Sequence, residues 1–159
     1  FLYMDVGGGS TELTLLEGQK PRASRSFPIG TIRLLQKQVK PAQWTEMGEW
    51  IQRQTASLTG LMMVGSGGNI NRTFKLSEKK KGQPIDLAEL RSIKADLEQY
   101  EPDERMIRFD LNPDRSDVIT HALEIYTRAT EWAGAHQMIV PKKGLADGMV
   151  RDLYAAHYQ

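Results

Sequence analysis

The chain has 159 residues, of which 40% are apolar and 26% charged, so it can form one globular domain with its own core. Its 21 basic and 20 acidic residues give a net charge of +1, which argues against a protein that coats nucleic acid or an anionic membrane. It has no cysteine, and this excludes disulfide scaffolds, cysteine zinc sites and thiol nucleophiles. No apolar run reaches the roughly 18 residues of a membrane span and no signal peptide is recognisable, so the cytoplasm is the expected compartment.

The first half of the chain contains two glycine clusters, each preceded by a short apolar run. Residues 1–6 are apolar and residues 11–16 alternate between polar and apolar, so residues 7–10 between them are predicted to form the turn of a β-hairpin. Further elements are predicted in chain order as a strand at 24–28, a helical turn over 29–35, a helix over 43–58 and a buried strand at 61–64. The second glycine cluster follows directly, at residues 65–68.

The second half is more helical. A helix is predicted over 69–75, a solvated loop at 79–82, and a further helix that begins at Asp86 with Glu89 as its capping-box partner. Pro102 and Pro113 are expected to break the next stretch, and the remaining elements are a helix over 118–132, a strand at 137–140 and a closing helix over 145–158. Strands followed by strand–loop–helix units predict an α/β architecture.

The cluster at 7–10 carries the strongest chemical pattern. If it closes a four-residue loop, Asp5 faces Glu12 across the hairpin, with Cβ atoms about 5 Å apart, and the two like charges repel. Mg²⁺ relieves that repulsion, because it is typically held by one or two carboxylates, waters and substrate phosphates. A loop of glycines also lets backbone N–H groups face a phosphate, assisted by the hydroxyls of Ser10 and Thr11. The alternative is a plain glycine-rich hairpin with two solvated carboxylates.

The second cluster, Gly-Ser-Gly-Gly-Asn at 65–69, lies between a strand and a predicted helix. Unpaired amides and the helix dipole make such a helix start an anion site, and a tight turn is the alternative. Two such loops in one domain favour polyphosphate or nucleotide chemistry. Arg33 and Arg115 could each bind phosphate oxygens in a bidentate manner, but the local pattern favours a surface or ion-pair role for both.

Five segments, in this order, resemble motifs of the exopolyphosphatase / guanosine pentaphosphate phosphohydrolase (Ppx/GppA) family. They are Asp-Val-Gly-Gly-Gly-Ser-Thr-Glu-Leu at 5–13, a segment ending in Gly-Thr-Ile-Arg-Leu at 26–34, Val-Gly-Ser-Gly-Gly-Asn at 64–69, Asn-Pro-Asp-Arg-Ser-Asp-Val-Ile at 112–119 and Gly-Leu-Ala-Asp-Gly at 144–148. The last segment departs from the family at Ala146 and Asp147, where Arg and Glu are usual, so the resemblance implies no charge-specific role there.

The resemblance implies an actin-like ATPase (ribonuclease H-like) domain, a mixed sheet with helices packed on it. Residues 1–159 would be a single domain, the second (C-terminal) of two, with a phosphate site in the cleft between them. Asp5 and Glu12 match the family's metal-associated acidic positions, with Mg²⁺ as the cofactor. The phosphate-binding residues expected from the loops and the resemblance together are Gly7, Gly8, Gly9, Ser10, Thr11, Gly65, Ser66, Gly67, Gly68, Asn69 and Arg33.

The activity that the resemblance implies is hydrolysis of terminal phosphoanhydride bonds, in inorganic polyphosphate or guanosine pentaphosphate, by a water that a Glu activates. That Glu is expected upstream of Phe1, in a first domain that acts as a partner. The chain would then hold half of an active site and be inactive by itself, and a homodimer is left open. A non-catalytic nucleotide- or phosphate-binding regulatory module of the same fold is the main alternative. A sugar- or acetate-kinase-like phosphotransferase is disfavoured, because no segment resembles an adenosine pocket.

Overall fold

The computed structural model describes residues 1–141, which form a mixed six-stranded sheet with helices packed on it. The strands are β1 (Leu2–Val6), β2 (Thr11–Glu17), β3 (Lys20–Phe27), β4 (Met63–Ser66), β5 (Ile85–Asp86) and β6 (Gln137–Ile139). The helices are α1 (Thr31–Leu35), α2 (Pro41–Thr55), α3 (Gly68–Leu76), α4 (Leu87–Glu98), α5 (Pro102–Arg108), α6 (Pro113–Ser116) and α7 (Ile119–Trp132). The α/β architecture predicted from the order of the elements is confirmed.

The sheet order is β3-β2-β1-β4-β6-β5. Short turns join β1, β2 and β3, so these three strands pair antiparallel, whereas β1 with β4 and β4 with β6 pair parallel across helical crossovers. Parallel neighbours end at the same edge of a sheet. The glycine clusters that follow β1 and β4 therefore lie side by side at that edge.

The two faces of the hairpin differ in chemistry. On one face, alternate residues of β1 and β2 are buried: Leu2, Met4, Val6, Leu13 and Leu15. The residues between them lie on the opposite face and stay partly or fully exposed, among them Asp5 and Glu12. Helix α7 contacts β1 and the helices α1 to α4, and nine of its 14 residues are buried, so it is the central packing element of the described residues.

Most of the predicted elements are present, with bounds that differ by a few residues. The hairpin has the predicted register, in which Asp5 pairs with Glu12. Strand β4 extends through Gly65 and Ser66, because these residues pair with Met4 and Asp5 of β1. Strand β3 begins at Lys20, four residues before the predicted start, because an edge strand tolerates a polar sequence and even a proline.

Of three predictions for the second half of the sequence, two need correction and one falls on residues that the structure does not describe. No side chain caps α4: Asp86 Oδ1 accepts a 2.8 Å bond from Gln137 Nε2, and Glu89 pairs with Lys79 Nζ at 3.2 Å. The two prolines that were expected to interrupt the stretch after α4, Pro102 and Pro113, are instead the first residues of α5 and α6. At that position the fixed φ and the missing N–H of proline cost nothing. The helix predicted at 145–158 lies outside the described residues. Within residues 1–141, no helix is long and apolar enough to cross a membrane.

Candidate functional site

The first glycine loop presents amides on one side and has its carbonyls bonded on the other. A 2.9 Å hydrogen bond from the Gly7 amide to the Ser10 carbonyl closes it. The first amides of α1 donate to the carbonyl oxygens of Gly7 and Gly8, at 3.0 and 2.9 Å. The amides of Gly8 and Gly9 donate to no acceptor within residues 1–141. A turn with bonded carbonyls and unused amides is an anion-binding arrangement.

The second glycine loop joins β4 to α3 through Gly67. This residue has φ of 124° and ψ of 161°, a conformation that favours glycine. A Cβ at Gly67 would lie 3.2 Å from both the Tyr126 hydroxyl and the Val6 carbonyl, and 3.5 Å from Asp5 Oδ1. The second loop is therefore pressed against the end of β1. No side chain caps α3, so its first amides are available to an anion.

Tyr126 connects the central helix to the second loop. Its side chain is fully buried on α7, and its hydroxyl donates a hydrogen bond to the Ser66 carbonyl. Burial raises the pKa of Tyr126 well above its usual value of 10.0, and the nearby Asp5 carboxylate raises it further. The hydroxyl therefore keeps its proton at neutral pH and fixes the second loop through its hydrogen bond to the Ser66 carbonyl. Sequence reasoning missed this residue, and the only sequence signal for it is a hydroxyl on the apolar face of the predicted helix.

Polar residues form a row across four strands on the exposed face. Asp5 pairs with Glu12 on β2 and with Ser66 on β4, and Glu12 pairs with Ser26 on β3. Glu12 Oε1 accepts hydrogen bonds from Ser10 Oγ at 2.6 Å and from Ser26 Oγ at 3.0 Å. The two carboxyl groups thus lie on the same face of adjacent strands.

This pair fits the usual mode of Mg²⁺ binding, in which one or two carboxylates are completed by waters and substrate phosphate oxygens. Within residues 1–141, no three His, Cys, Asp or Glu side chains converge on a point where they could hold a metal ion. A cage of protein ligands alone is therefore not found in the described part of the chain. The donor set of Asp5 and Glu12 suits a cation that is shared with a phosphate.

A cavity of about 470 Å³ opens beside both loops. Its walls include Gly7 and Gly8 of the first loop, Asn69 of α3 and Arg115 of α6. Asn69 is only 5% exposed, and its Oδ1 has no hydrogen-bond partner in the described residues. Buried polar atoms almost always have a partner, so this acceptor oxygen in the cavity wall requires a hydrogen-bond donor, such as an ordered water.

The two arginines singled out in the sequence flank the loops. Arg33 Nε donates a 2.7 Å hydrogen bond to the Gly9 carbonyl, so its guanidinium lies over the first loop. Arg115 lies so close to the start of α3 that a Cβ on Gly68 would be 1.8 Å from its Nη2. Within residues 1–141, neither arginine has a carboxylate within ion-pair distance. Both guanidinium groups can therefore contact an anion.

Of the eleven predicted phosphate-binding residues, Gly7, Gly8 and Asn69 line the cavity, and for two of the others the structure gives a different reason for the residue. Gly65 is buried within β4, and a Cβ there would be 2.6 Å from Met138 Sδ, so close packing explains this glycine. Thr11 is fully buried and its hydroxyl donates to the Ile29 carbonyl at 2.7 Å. The hydroxyl of Ser10 is likewise bonded, to Glu12. The segment at 144–148 lies outside the described residues.

Comparisons with known proteins agree on one family. The model of the Ppx/GppA phosphatase family matches residues 1–157. The Ppx/GppA family member of Aquifex aeolicus has a similar structure, with a TM-score of 0.74 and 22% identity over 99% of this chain and 57% of that one. An exopolyphosphatase from Cytophaga hutchinsonii has a TM-score of 0.73 and 17% identity, over 97% of this chain and 57% of that one. No curated protein matches the chain.

These similarities confirm the predicted actin-like ATPase type of α/β fold. The chain spans 57% of the length of both solved structures.

Proposed function

Because the chain belongs to the Ppx/GppA phosphatase family, we propose that it forms one wall of the active site of a hydrolase that cleaves terminal phosphoanhydride bonds. The substrate is inorganic polyphosphate or guanosine pentaphosphate. The observation that carries this proposal is the pair of glycine loops at the ends of β1 and β4, which lie beside one cavity and include backbone amides that donate to no acceptor in the described residues. A cytoplasmic location is part of the same proposal and agrees with the lack of cysteine.

The loops bind the terminal phosphate through backbone amides. Gly8 and Gly9 supply amides from the first loop, and Gly68 and Asn69 supply them from the start of α3. Donors that are already fixed in place stabilise the charge that develops in the transition state, since they need no reorganisation. The guanidinium of Arg33 adds positive charge beside the first loop.

Asp5 and Glu12 hold Mg²⁺ in this proposal. When bound, the ion neutralises negative charge on the phosphate oxygens and helps to orient them. The hydroxyls of Ser10 and Ser26 fix the position of the Glu12 carboxylate through the hydrogen bonds to its Oε1. The first loop therefore couples its own conformation to the carboxylate that binds the metal.

The catalytic base comes from outside the described residues, from the partner domain that the family resemblance implies. A water must be placed in line with the terminal phosphorus and lose its proton to that base. Two components are then needed for turnover. This chain binds and orients the phosphate, and its partner activates the water.

The test is phosphate release from polyphosphate by the full-length protein in the presence of Mg²⁺. We expect Asp5→Asn to lower turnover by about a hundredfold or more, because it removes half of the metal-binding carboxylate pair. Asp96→Asn is the matched control, since this exposed carboxylate on α4 has no ion pair in the described residues. Unchanged turnover in Asp5→Asn, or an equal loss in both variants, contradicts the role of Asp5. The 159-residue chain assayed alone should show almost no release, and full release from it would contradict a base outside it.

A further inference from the structure

A second, smaller hollow lies along the side of α3, next to the cavity of the glycine loops. It has a volume of about 190 Å³, and its walls include Arg72 and Lys75 of α3, Asp110, and Arg115 of α6. Arg115 also lines the larger cavity, so the two concavities are neighbours. The role proposed for the loops leaves Arg72 and Lys75 without a function.

The hollow has a surplus of positive charge. Arg72 Nη2 donates to the carbonyls of Phe109 and Asp110, both at 2.7 Å, and lies 3.7 Å from the Asp110 carboxylate. Arg72 Nε is buried and has no partner in the described residues. Lys75 and Arg115 have no carboxylate within ion-pair distance in residues 1–141. Three cations thus face a single carboxylate, and that carboxylate is fully exposed.

The cations extend away from the glycine loops in one direction. Residues three apart on a helix lie on the same side, so Arg72 and Lys75 form a row along α3. With a rise of 1.5 Å per residue, Arg72 lies about 6 Å and Lys75 about 10 Å along the axis from Gly68. A chain of phosphates that runs along α3 from the glycine loops would pass over this row.

We propose that the hollow is a second anion subsite, which binds phosphate groups of a linear polyphosphate behind the terminal one. This inference rests on the proposed function, since it assumes that the terminal phosphate lies at the glycine loops. Arg72 is fixed by its two carbonyl bonds and serves as the anchored cation, whereas Lys75 adjusts to the passing chain. The Asp110 carboxylate opposes binding. The affinity for the substrate accordingly rises with chain length, and orthophosphate does not reach Lys75.

The test is titration calorimetry of the 159-residue chain with Mg²⁺, using orthophosphate and a linear polyphosphate of some tens of phosphates as the two probes. We expect Lys75→Gln to weaken polyphosphate binding roughly fivefold to tenfold, because one charge-assisted contact between a lysine and a phosphate is lost. Orthophosphate binding should stay unchanged, because orthophosphate does not reach Lys75. Lys20→Gln is the matched control, because Lys20 is an exposed lysine on the edge strand β3. Asp110→Asn should strengthen polyphosphate binding, a gain that impaired folding cannot produce.

Each other outcome overturns the subsite. If the unmodified chain binds the two probes with equal affinity, per mole of ligand, the hollow is not a binding subsite, while the glycine-loop site is unaffected. A similar loss in Lys75→Gln and Lys20→Gln would mean nonspecific attraction. Weaker orthophosphate binding in Lys75→Gln would place Lys75 at the terminal phosphate instead. If neither probe binds, the proposed function fails together with the subsite.

Discussion

A single hydroxyl, that of Tyr126, joins the central helix to the second glycine loop. It donates to the Ser66 carbonyl one residue before Gly67, where any side chain would contact the end of β1. Removal of the hydroxyl takes this donor away from a partly buried carbonyl. The position of the loop amides thus depends on a side chain that does not line the cavity.

We expect Tyr126→Phe to lower the free energy of unfolding by about 1–2 kcal/mol, because the partly buried Ser66 carbonyl loses the hydrogen bond that it accepts. Urea unfolding of the chain measures this. Tyr100→Phe is the control, because the Tyr100 ring packs on Phe109 and Arg108 and its hydroxyl has no hydrogen bond in residues 1–141. Equal values for the two variants would contradict a structural role for the Tyr126 hydroxyl.

The same residue gives a dependence on pH. Burial raises the pKa of Tyr126 in the folded chain well above 10.0, so at alkaline pH the unfolded chain loses this proton first. Its contribution to stability is complete below pH 10 and decreases as the pH rises above that value. Between about pH 9 and pH 11, Tyr126→Phe should therefore lose less stability than the unmodified chain. A parallel loss in both chains would contradict the raised pKa.

At the scale of elements, the site is made by two strand–loop units that emerge from neighbouring parallel strands. The β1 unit returns as the antiparallel strand β2 and brings Glu12 beside Asp5. The β4 unit continues into α3 and directs a helix start toward the same place. Anion sites at the carboxyl ends of adjacent strands follow from this topology, because loops and helix starts gather there.

Gly67, in the loop of the β4 unit, is a position where an added side chain should disturb both the backbone and the packing of the loop. Gly67→Ala forces a side chain into a left-handed conformation and places its Cβ 3.2 Å from two oxygens, so we expect a loss of about 2–3 kcal/mol and weaker phosphate binding. Gly60→Ala is the control for conformation alone, since Gly60 has φ of 67° and nothing within 4 Å of its Cβ position. Urea unfolding and phosphate titration measure the two effects. If both variants bind phosphate equally well, the packing around Gly67 does not position the loop.

At the scale of the whole molecule, local patterns predicted the parts of the site that lie close in sequence. The pairing of Asp5 with Glu12 followed from the length of the loop, because a hairpin turn fixes the register of its strands. The helix predicted over 69–75, directly after the second glycine cluster, is present as α3.

The rest depends on contacts that sequence patterns do not encode. Tyr126 lies 60 residues from the carbonyl that it bonds, and Thr11 lies 18 residues from its own partner. The Thr11 hydroxyl is buried and donates to that distant partner, so it is not available to a phosphate in this structure. The role of Arg115 was left open for a similar reason, since only the fold brings its side chain to Gly68, 47 positions earlier in the sequence.

The central claim is that the two glycine loops form one phosphate site. The most direct measurement is an NMR titration of the chain with orthophosphate and Mg²⁺, followed through the backbone amide shifts. We predict that the amides of Gly8, Gly9, Gly68 and Asn69 shift together, with a single dissociation constant, and that Asp5→Asn weakens the response. Shifts confined to the lysines at 79–81, or loops that respond with different affinities, would contradict a shared site.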